Sequence, residues 1–248
     1  MTSSVCLTVD VEDFYEGMAV LGAPVERPGA DDGQGLARLG EFLSSCESRP
    51  RITLFVVGGY APTVASVLRD MVDAGHEVAS HGPDHGRLPP AGDLPVWLRR
   101  GKEAIEDLLG VRVAGFRSPR FDLPAGGLAR YRDALAAAGF DYVSDTHVLG
   151  AGSPVREVPV LTWRRVPVGG GSYQRLLPAH VVAGAVERAT APAVLYYHSY
   201  DFDGTLPGLQ AARSLAVAKQ LIGRERAARV FRYVAGRFGS ESCGRIGI

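Results

Sequence analysis

Short apolar runs rich in β-branched residues alternate along this chain with longer segments of helical periodicity. The apolar runs predict buried strands over residues 5–9, 52–57, 77–80, 114–119, 142–144 and 193–199. Apolar residues at helical spacing predict helices over residues 36–46, 62–75, 94–109, 127–140 and 180–189. A stretch rich in Gly and Pro, residues 150–178, reads as irregular, and the C-terminal end is helical and rich in arginine.

Strands that are apolar throughout and alternate with helices are typical of a parallel sheet covered by helices. The sequence therefore predicts an α/β fold, a deformed (β/α) barrel of about seven parallel strands. The absence of a duplicated segment favours a single domain over residues 1–248. A Rossmann sheet is the competing fold, but no GxGxxG follows a strand, and the glycines at 169–171 have the wrong spacing for a dinucleotide site.

The charge balance narrows the range of partners. The chain of 248 residues has 27 Lys or Arg and 27 Asp or Glu, so its formal net charge is zero. No block of like charges stands out, and neither nucleic acid nor an anionic membrane is expected as a partner. No apolar run reaches the roughly 18 residues that a membrane-spanning helix needs. Composition leaves the oligomeric state open.

Three cysteines, Cys6, Cys46 and Cys243, are too few and too scattered to indicate a disulfide framework or a CxxC metal site. We therefore expect reduced thiols, which suit the cytoplasm. The first ten residues lack a basic region followed by an apolar stretch, so they do not read as a secretory signal. A cytoplasmic location is the expectation that follows.

Ionisable residues stand at the ends of five separate predicted strands. The carboxyl ends of parallel strands form one mouth in barrels and open α/β sheets, so these side chains are expected to converge on one rim. The residues concerned are Asp10, Glu12, Asp13, His81, Arg117, Asp145 and His198.

The carboxylates of "TVDVED" lie close enough in sequence to repel one another, which a nearby cation would compensate. Alternation puts Asp10 and Glu12 on the same side if the strand continues, whereas Asp13 shares that side only if the chain turns. One carboxylate would bind a metal and another would act as a base. The residues alone leave the choice between Glu12 and Asp13 open.

His81 and His85 stand four residues apart in "SHGPDH", where Gly82 and Pro83 favour a turn that lets both imidazoles converge. Two neutral imidazoles and one carboxylate suit a borderline divalent ion with open positions for water and substrate. Such an ion polarises a carbonyl and lowers the pKa of bound water towards about 7. His76 lies before the strand, at the opposite end, and is expected to be structural.

Four segments resemble, in order, the motifs of the polysaccharide deacetylases, carbohydrate esterase family four. They are "LTVDVED", "GHEVASHGPDH", "GFRSPRF" and "LYYHSYDF". The segment "VPVLTWRRVPVGGGSYQRLLP" is similar to one in the exopolysaccharide-associated branch, which carries a DVED version of the first motif. The resemblance spans roughly residues 5–205.

This resemblance implies a role for each matching residue. Asp10 corresponds to the general base and Arg117 to the arginine that pairs with and orients it. His81 and His85 correspond to the metal-binding pair, and His198 to the histidine that protonates the leaving amine. Family members usually use zinc, and some use cobalt, nickel or other divalent ions.

The sequence departs from the family pattern at three places. Val11 separates carboxylates that are usually adjacent, so the metal carboxylate is either Glu12 or Asp13. Arg120 stands where an aromatic residue often lends its backbone N–H to the oxyanion, which affects the sugar-stacking surface more than the donor. Ser199-Tyr200 replaces the branch's usual Pro-Trp, which affects substrate identity more than the chemistry.

The expected function is metal-dependent removal of an N-acetyl group from an amino sugar in a glycan, glycoconjugate or natural-product intermediate. The alternatives are another C–N hydrolase, such as a deformylase or a cyclic amidase, and a catalytically silent sugar-binding relative. The intact set of five matching residues argues against silence.

Several residues keep two interpretations. Asp145 fits either a buttress for an imidazole or a loop cap. Tyr173, Arg175 and Trp163 fit either a structural turn or contact with substrate. The C-terminal arginines are expected to form a solvated helix face, and they are Arg224, Arg226, Arg229 and Arg232.

Overall fold

The structure is a computed structural model. It describes residues 5–22, 33–90, 92–122, 127–146, 152–163, 166–206, 212 and 214–246. Residues 150 and 151 of the irregular stretch, and Arg164 and Arg165, lie outside the described residues.

Seven parallel strands form one curled sheet, which confirms the predicted fold class. Their order across the sheet is β6-β5-β4-β3-β2-β1-β7. The strands are β1 (Val5–Val11), β2 (Ile52–Val56), β3 (Glu77–Ser80), β4 (Gly115–Phe116), β5 (Tyr142–Val143), β6 (Arg156–Glu157) and β7 (Ala193–His198).

The two edges of the sheet approach each other through the chain that follows β6. Val160 and Gly170 form parallel bridges with Val194 and Tyr196 of β7. Leu161 N–H also donates to the carbonyl of Val194 at 2.9 Å. These bonds satisfy part of the β7 edge and curl the sheet towards a barrel.

Helices cover the outside of the sheet. They are α1 (Phe14–Val20), α2 (Gln34–Ser44), α3 (Ala65–Asp73), α4 (Leu94–Leu109), α5 (Gly127–Ala137), α6 (Gly171–Leu176), α7 (Ala179–Glu187), α8 (Leu215–Leu221) and α9 (Arg224–Phe238). Short 3₁₀ turns lie at Ala61–Val64, Pro119–Phe121 and Ser199–Phe202. None of the helices within the described residues has the length and hydropathy that crossing a membrane requires.

The structure contains three short elements that periodicity did not predict: α1, β6 and α6. They have 7, 2 and 6 residues, too few for a helical or alternating pattern to stand out. The helix α6 begins inside the stretch that was expected to be irregular.

Strand β1 shows how the sheet separates its two faces. Val5, Leu7, Val9 and Val11 belong to the large core between strands and helices. Cys6 belongs instead to a smaller apolar cluster that includes Phe55, Tyr142 and Ile246. Residues at even positions of β1 therefore point into the barrel.

The C-terminal segment packs against the amino-terminal end of the barrel. Cys243 N–H donates to Thr53 Oγ1 at 2.8 Å, and Gly244 N–H donates to Glu77 Oε2 at 2.9 Å. Cys243 forms a disulfide with Cys6. The expectation that all three cysteines are reduced thiols is wrong for this pair, because folding brings together residues that are 237 positions apart. The cytoplasmic location loses this support and stays a prediction.

We expect the double variant Cys6→Ala/Cys243→Ala to unfold at a lower temperature than the wild type, by roughly 5–15 °C. The lost cross-link contributes about 2–4 kcal/mol, and each kcal/mol shifts Tm by about 2–4 °C in a domain of this size. Peptide mapping without reductant should recover the linked pair. Cys46→Ala is the control, because Cys46 is buried and unpaired. A wild type without the linked peptide, with the Tm of the double variant, would contradict the prediction.

Candidate active site

The pairing of β1 with β7 fixes two of the predicted site residues side by side. The parallel register places Asp10 opposite His198 at the carboxyl ends of the two strands. Residues opposite each other in a parallel pair point to the same face, and the even positions of β1 point inwards. Both side chains line a cavity of about 360 Å³ at the mouth of the barrel.

Glu12 lies among three imidazoles. Its side chain is 3% exposed, and its Oε2 contacts His85 Nε2 and lies 3.9 Å from His81 Nε2. Its Oε1 lies 3.9 Å from His198 Nε2. The ligand atoms of Glu12, His81 and His85 all lie within 4.8 Å of one another, which makes these three residues a candidate metal cluster.

The loop that carries His81 and His85 is held by the neighbouring strand and helix. Gly58 N–H donates to the carbonyl of Gly82 at 2.8 Å, beyond the end of β2. Gly82 has φ +84°, and a Cβ there would lie 2.3 Å from the ring of Trp97 in α4. The close approach of α4 and the positive φ both require glycine, and together they turn the loop between the two histidines.

A backbone hydrogen bond selects the tautomer of His81. Its Nδ1 lies 2.9 Å from the carbonyl of Arg117, and a carbonyl can only accept. The Nδ1–H tautomer therefore leaves Nε2 as the free lone pair, and this is the atom that lies nearest Glu12. Such a bond is the usual way in which a metal-ligating imidazole is oriented.

Arg117 is fully buried, and each nitrogen of its guanidinium donates a hydrogen bond. It donates from Nη1 to Asp10 Oδ1 at 2.7 Å, and from Nε and Nη2 to the carbonyl and Oγ of Ser144, each at 2.9 Å. The guanidinium carbon lies 4.0 Å from the centre of the Phe55 ring, a cation–π contact. Asp10 is thus held in one orientation by a charge that solvent does not screen.

Asp145 supports the chain just after Arg117, and within the described part of the chain it contacts no imidazole. Its Oδ1 accepts from Ser118 N–H at 2.9 Å, and its Oδ2 accepts from Tyr131 O–H at 2.5 Å. Of its two interpretations, the loop cap is the one that the contacts support. The turn that it anchors has positive φ at Arg120 (62°) and Phe121 (56°), an unusual conformation for non-glycine residues that needs such support.

Two further side chains surround His198. Its ring stacks on Tyr200 with centroids 4.6 Å apart, and its Nδ1 lies 3.6 Å from Asp201 Oδ2. Burial lowers the pKa of His198, but Asp201 and Glu12 outweigh that effect and hold it above the ordinary value. Asp201 was not among the predicted site residues, although an acid three positions after a candidate catalytic histidine is a visible signal.

In the absence of a metal, the pKa values of the cluster residues are shifted by burial and by their mutual attraction. Burial by itself would raise the pKa of Glu12, but the attraction of His85, together with His198 and His81, lowers it to about 2. Burial lowers the pKa of His81, while the attraction of Glu12 overcomes burial and raises the pKa of His85. The carboxylate is therefore ionised at neutral pH, as a metal ligand must be.

The carboxylate of Asp13 accepts hydrogen bonds from backbone N–H groups at the start of α1. Its Oδ1 accepts from the N–H groups of Tyr15 at 2.7 Å and Glu16 at 3.0 Å, so it caps the N-terminus of α1. The pattern Asp13-x-x-Glu16 resembles a capping box and was the available signal. Of the two carboxylates left open by the sequence, Glu12 lies at the cluster.

The remaining candidate residues do not all line the cavity. Tyr173 lines the cavity and is 50% exposed, whereas Arg175 is buried and Trp163 is outside the cavity lining. Arg224 is also buried and donates to the carbonyls of Tyr200 and Asp203, so its expected place on a solvated face is wrong.

His76, by contrast, lies where the sequence expects a structural residue. Its Nδ1 accepts from Ile52 N–H at 3.3 Å, at the amino-terminal end of β2.

Two family models match the chain. Residues 46–143 match the model described as polysaccharide deacetylase, and residues 136–246 match a domain of unknown function (DUF3473). The first span contains His81, His85 and Arg117, and the second contains His198. None of the curated proteins matches the sequence.

Solved structures share the fold. A candidate polysaccharide deacetylase from Mycobacterium smegmatis has 23% identity and a TM-score of 0.59, over 100% of this chain and 95% of that one. A family 4 carbohydrate esterase from Streptomyces lividans, in complex with acetate, has 20% identity and a TM-score of 0.53, over 96% and 91%. A pseudoenzyme of the same family from Bacillus anthracis has 13% identity and a TM-score of 0.52, over 99% and 65%. At these identities the solved structures show a shared fold, and the polysaccharide deacetylase model matches residues 46–143 of this chain.

The metal content of variants distinguishes the roles of Glu12 and Asp13. We expect Glu12→Gln to lower zinc affinity at least about 10-fold, because it removes a charged ligand, while Asp13→Asn keeps the metal because an amide oxygen also caps a helix. Asp13→Ala should also keep the metal but lower stability by about 1 kcal/mol. Elemental analysis and zinc titration after chelation measure the first effect, and thermal unfolding measures the second. Loss of metal in Asp13→Asn with retention in Glu12→Gln would reverse the assignment.

Proposed function

We propose that this chain is a metal-dependent N-deacetylase of the polysaccharide deacetylase family that acts on an N-acetylated amino sugar. The observation that carries the proposal is the position of buried Glu12, within 3.9 Å of His81, His85 and His198. Glu12 lies two residues after Asp10, whose carboxylate is paired with a buried arginine. The cavity thus combines a metal-binding cluster, an oriented base and a candidate acid.

The cluster fits a divalent cation. Two imidazole nitrogens and one carboxylate oxygen are the donor set of mononuclear zinc hydrolases, which keep a further position open. His81 is already in the tautomer that a ligand needs, and Glu12 is ionised. His85 Nε2 already lies against Glu12 Oε2, so the second imidazole presents its ligand atom to the carboxylate. We propose zinc as the native ion.

The chemistry divides among residues that the barrel holds apart. When bound, the cation would polarise the acetamide carbonyl and acidify a water molecule. Asp10, held by Arg117, would accept a proton from the water molecule that attacks the carbonyl carbon. His198 donates a proton to the nitrogen as the C–N bond breaks, so that acetate and a free amino sugar leave.

The turn at Pro119–Phe121 supplies a candidate oxyanion donor. Arg120 lines the cavity and has φ 62°, and the family pattern assigns the backbone N–H at this position to the oxyanion. Because the donor is a backbone group, the replacement of an aromatic side chain by arginine does not remove it.

The shape of the cavity supports a small acetylated group as the substrate. A volume of about 360 Å³ is at the small end of ligand-binding pockets and accommodates a sugar ring with its acetamido group. The exposed ring of Tyr173 provides an apolar surface of the kind on which sugars stack. A glycan, a glycoconjugate or a natural-product intermediate can each present such a unit.

Acetate release tests the proposal directly. We expect the purified protein to release acetate from N-acetylated amino sugars or their oligomers, to lose this activity after chelation and to regain it with zinc. Release of formate from N-formyl sugars, without acetate release, would identify a deformylase. Sugar binding without metal-dependent release would identify a catalytically silent relative.

Two variants separate metal binding from proton transfer. Asp10→Asn should retain the metal and lose activity about 100-fold or more, because the amide cannot accept the proton. His81→Ala should lose both metal and activity. His76→Ala is the matched control, because His76 lies outside the cavity and should leave metal content and turnover unchanged. An empty site in Asp10→Asn would show that Asp10 is a ligand and not the base.

A further inference from the structure

Arg175 is a buried cation that the proposed reaction does not use. It lies in α6 and is 1% exposed. Placing a guanidinium away from water is costly unless its donors are all satisfied, so the groups that it contacts indicate its role.

The partners of Arg175 come from three parts of the fold. Nη1 donates to Asp201 Oδ1 at 2.7 Å and to the carbonyl of Gln220 at 2.8 Å. Nη2 donates to the carbonyl of Lys219 at 3.0 Å, and Nε donates to the carbonyl of Gly171 at 3.3 Å. The guanidinium therefore joins α6, the end of α8 and the turn that follows β7.

The carboxylate of Asp201 transmits this anchoring to His198. Its Oδ1 is held by Arg175, while its Oδ2 accepts from the backbone N–H of His198 at 3.0 Å and lies 3.6 Å from His198 Nδ1. The Tyr200 ring stacks on the imidazole of His198, with ring centroids 4.6 Å apart. The remaining ring nitrogen, Nε2, points towards Glu12 at 3.9 Å.

We propose that Arg175 is a positioning residue for His198 and acts through Asp201. The inference rests on the proposed function, in which His198 protonates the leaving nitrogen. Arg175 fixes the plane of the carboxylate, and the carboxylate holds the backbone N–H of His198 and lies 3.6 Å from its Nδ1. Together with the stacking on Tyr200, this arrangement aims Nε2 into the cavity. This assigns Arg175 to proton delivery and excludes it from contact with substrate.

A leaving-group comparison tests this role. Departure of an amine requires a proton, whereas a phenolate departs from an aryl acetate without one. We expect Arg175→Met to lower kcat for an N-acetylated amino sugar about 10- to 100-fold, with KM and metal content nearly unchanged. Aryl acetate hydrolysis should fall less than about threefold.

Arg226→Met is the matched control. Arg226 also anchors α6, through the carbonyls of Leu176 and Leu177, but it does not contact Asp201. Its loss should leave both reactions unchanged. Arg175→Lys keeps the charge with fewer donors and should recover part of the amide activity.

The coupling between the two residues gives a second readout. If Arg175 acts through Asp201, the double variant Arg175→Met/Asp201→Asn should be no worse on the amide than the poorer single variant, within about threefold. Independent roles would instead multiply the two losses and overturn the proposal. If Arg175→Met fails to fold, the nearly isosteric Asp201→Asn decides alone, by the same loss on the amide and not on the ester.

Failure of this inference differs from failure of the proposed function. Wild-type protein that releases no acetate from any amide overturns both. Active wild-type protein whose Arg175→Met and Asp201→Asn variants lose amide and ester activity equally overturns the role of Arg175 alone.

Discussion

The buried guanidinium of Arg117 is the interaction on which the site depends. The guanidinium donates hydrogen bonds to Asp10 on β1 and to Ser144 after β5, and it packs on Phe55 of β2. The backbone carbonyl of Arg117 accepts a hydrogen bond from His81. An uncompensated charge at this depth would cost several kcal/mol, so these strand ends are required to meet where they do. The same residue therefore orients Asp10, the proposed base, and, through its backbone carbonyl, His81 of the candidate metal cluster.

Three of the buried carboxylates at the mouth of the barrel, Asp10, Asp201 and Glu12, differ in their cationic partners. Asp10 pairs with Arg117, and Asp201 pairs with Arg175. Burial raises the pKa of Asp201, but Arg175 and His198 lower it to about 2. Glu12 instead faces imidazoles, which are only conditionally charged at neutral pH. Asp10 and Asp201 are thus each paired with an arginine, which is permanently charged. Glu12 faces imidazoles instead, and a divalent ion there would complete the charge balance.

The sequence predicted what short-range rules determine and left open what depends on distant contacts. Alternation along β1 predicted that Asp10 and Glu12 share the inner face. The choice between Glu12 and Asp13 depended on α1, a 7-residue helix that packs through Phe14 on Tyr200. The buried state of Arg175 depended on partners 26 and 45 residues away. No local pattern encodes such contacts, and the same holds for the Cys6–Cys243 pair.

The β1–β7 register links closure of the sheet to completion of the site. Asp10 and His198 are opposite each other, and neighbouring strands lie about 4.8 Å apart, so the proposed base and the proposed acid can flank one amide group. A shift of one residue in the pairing of β7 with β1 would turn His198 to the outer face of the sheet. It would also turn a residue of the outer, apolar face inwards. His81, His85 and Arg117 lie in the span that matches the deacetylase model, whereas His198, the proposed acid, lies in the later span. The candidate site residues of the two spans therefore come together only where β7 pairs with β1.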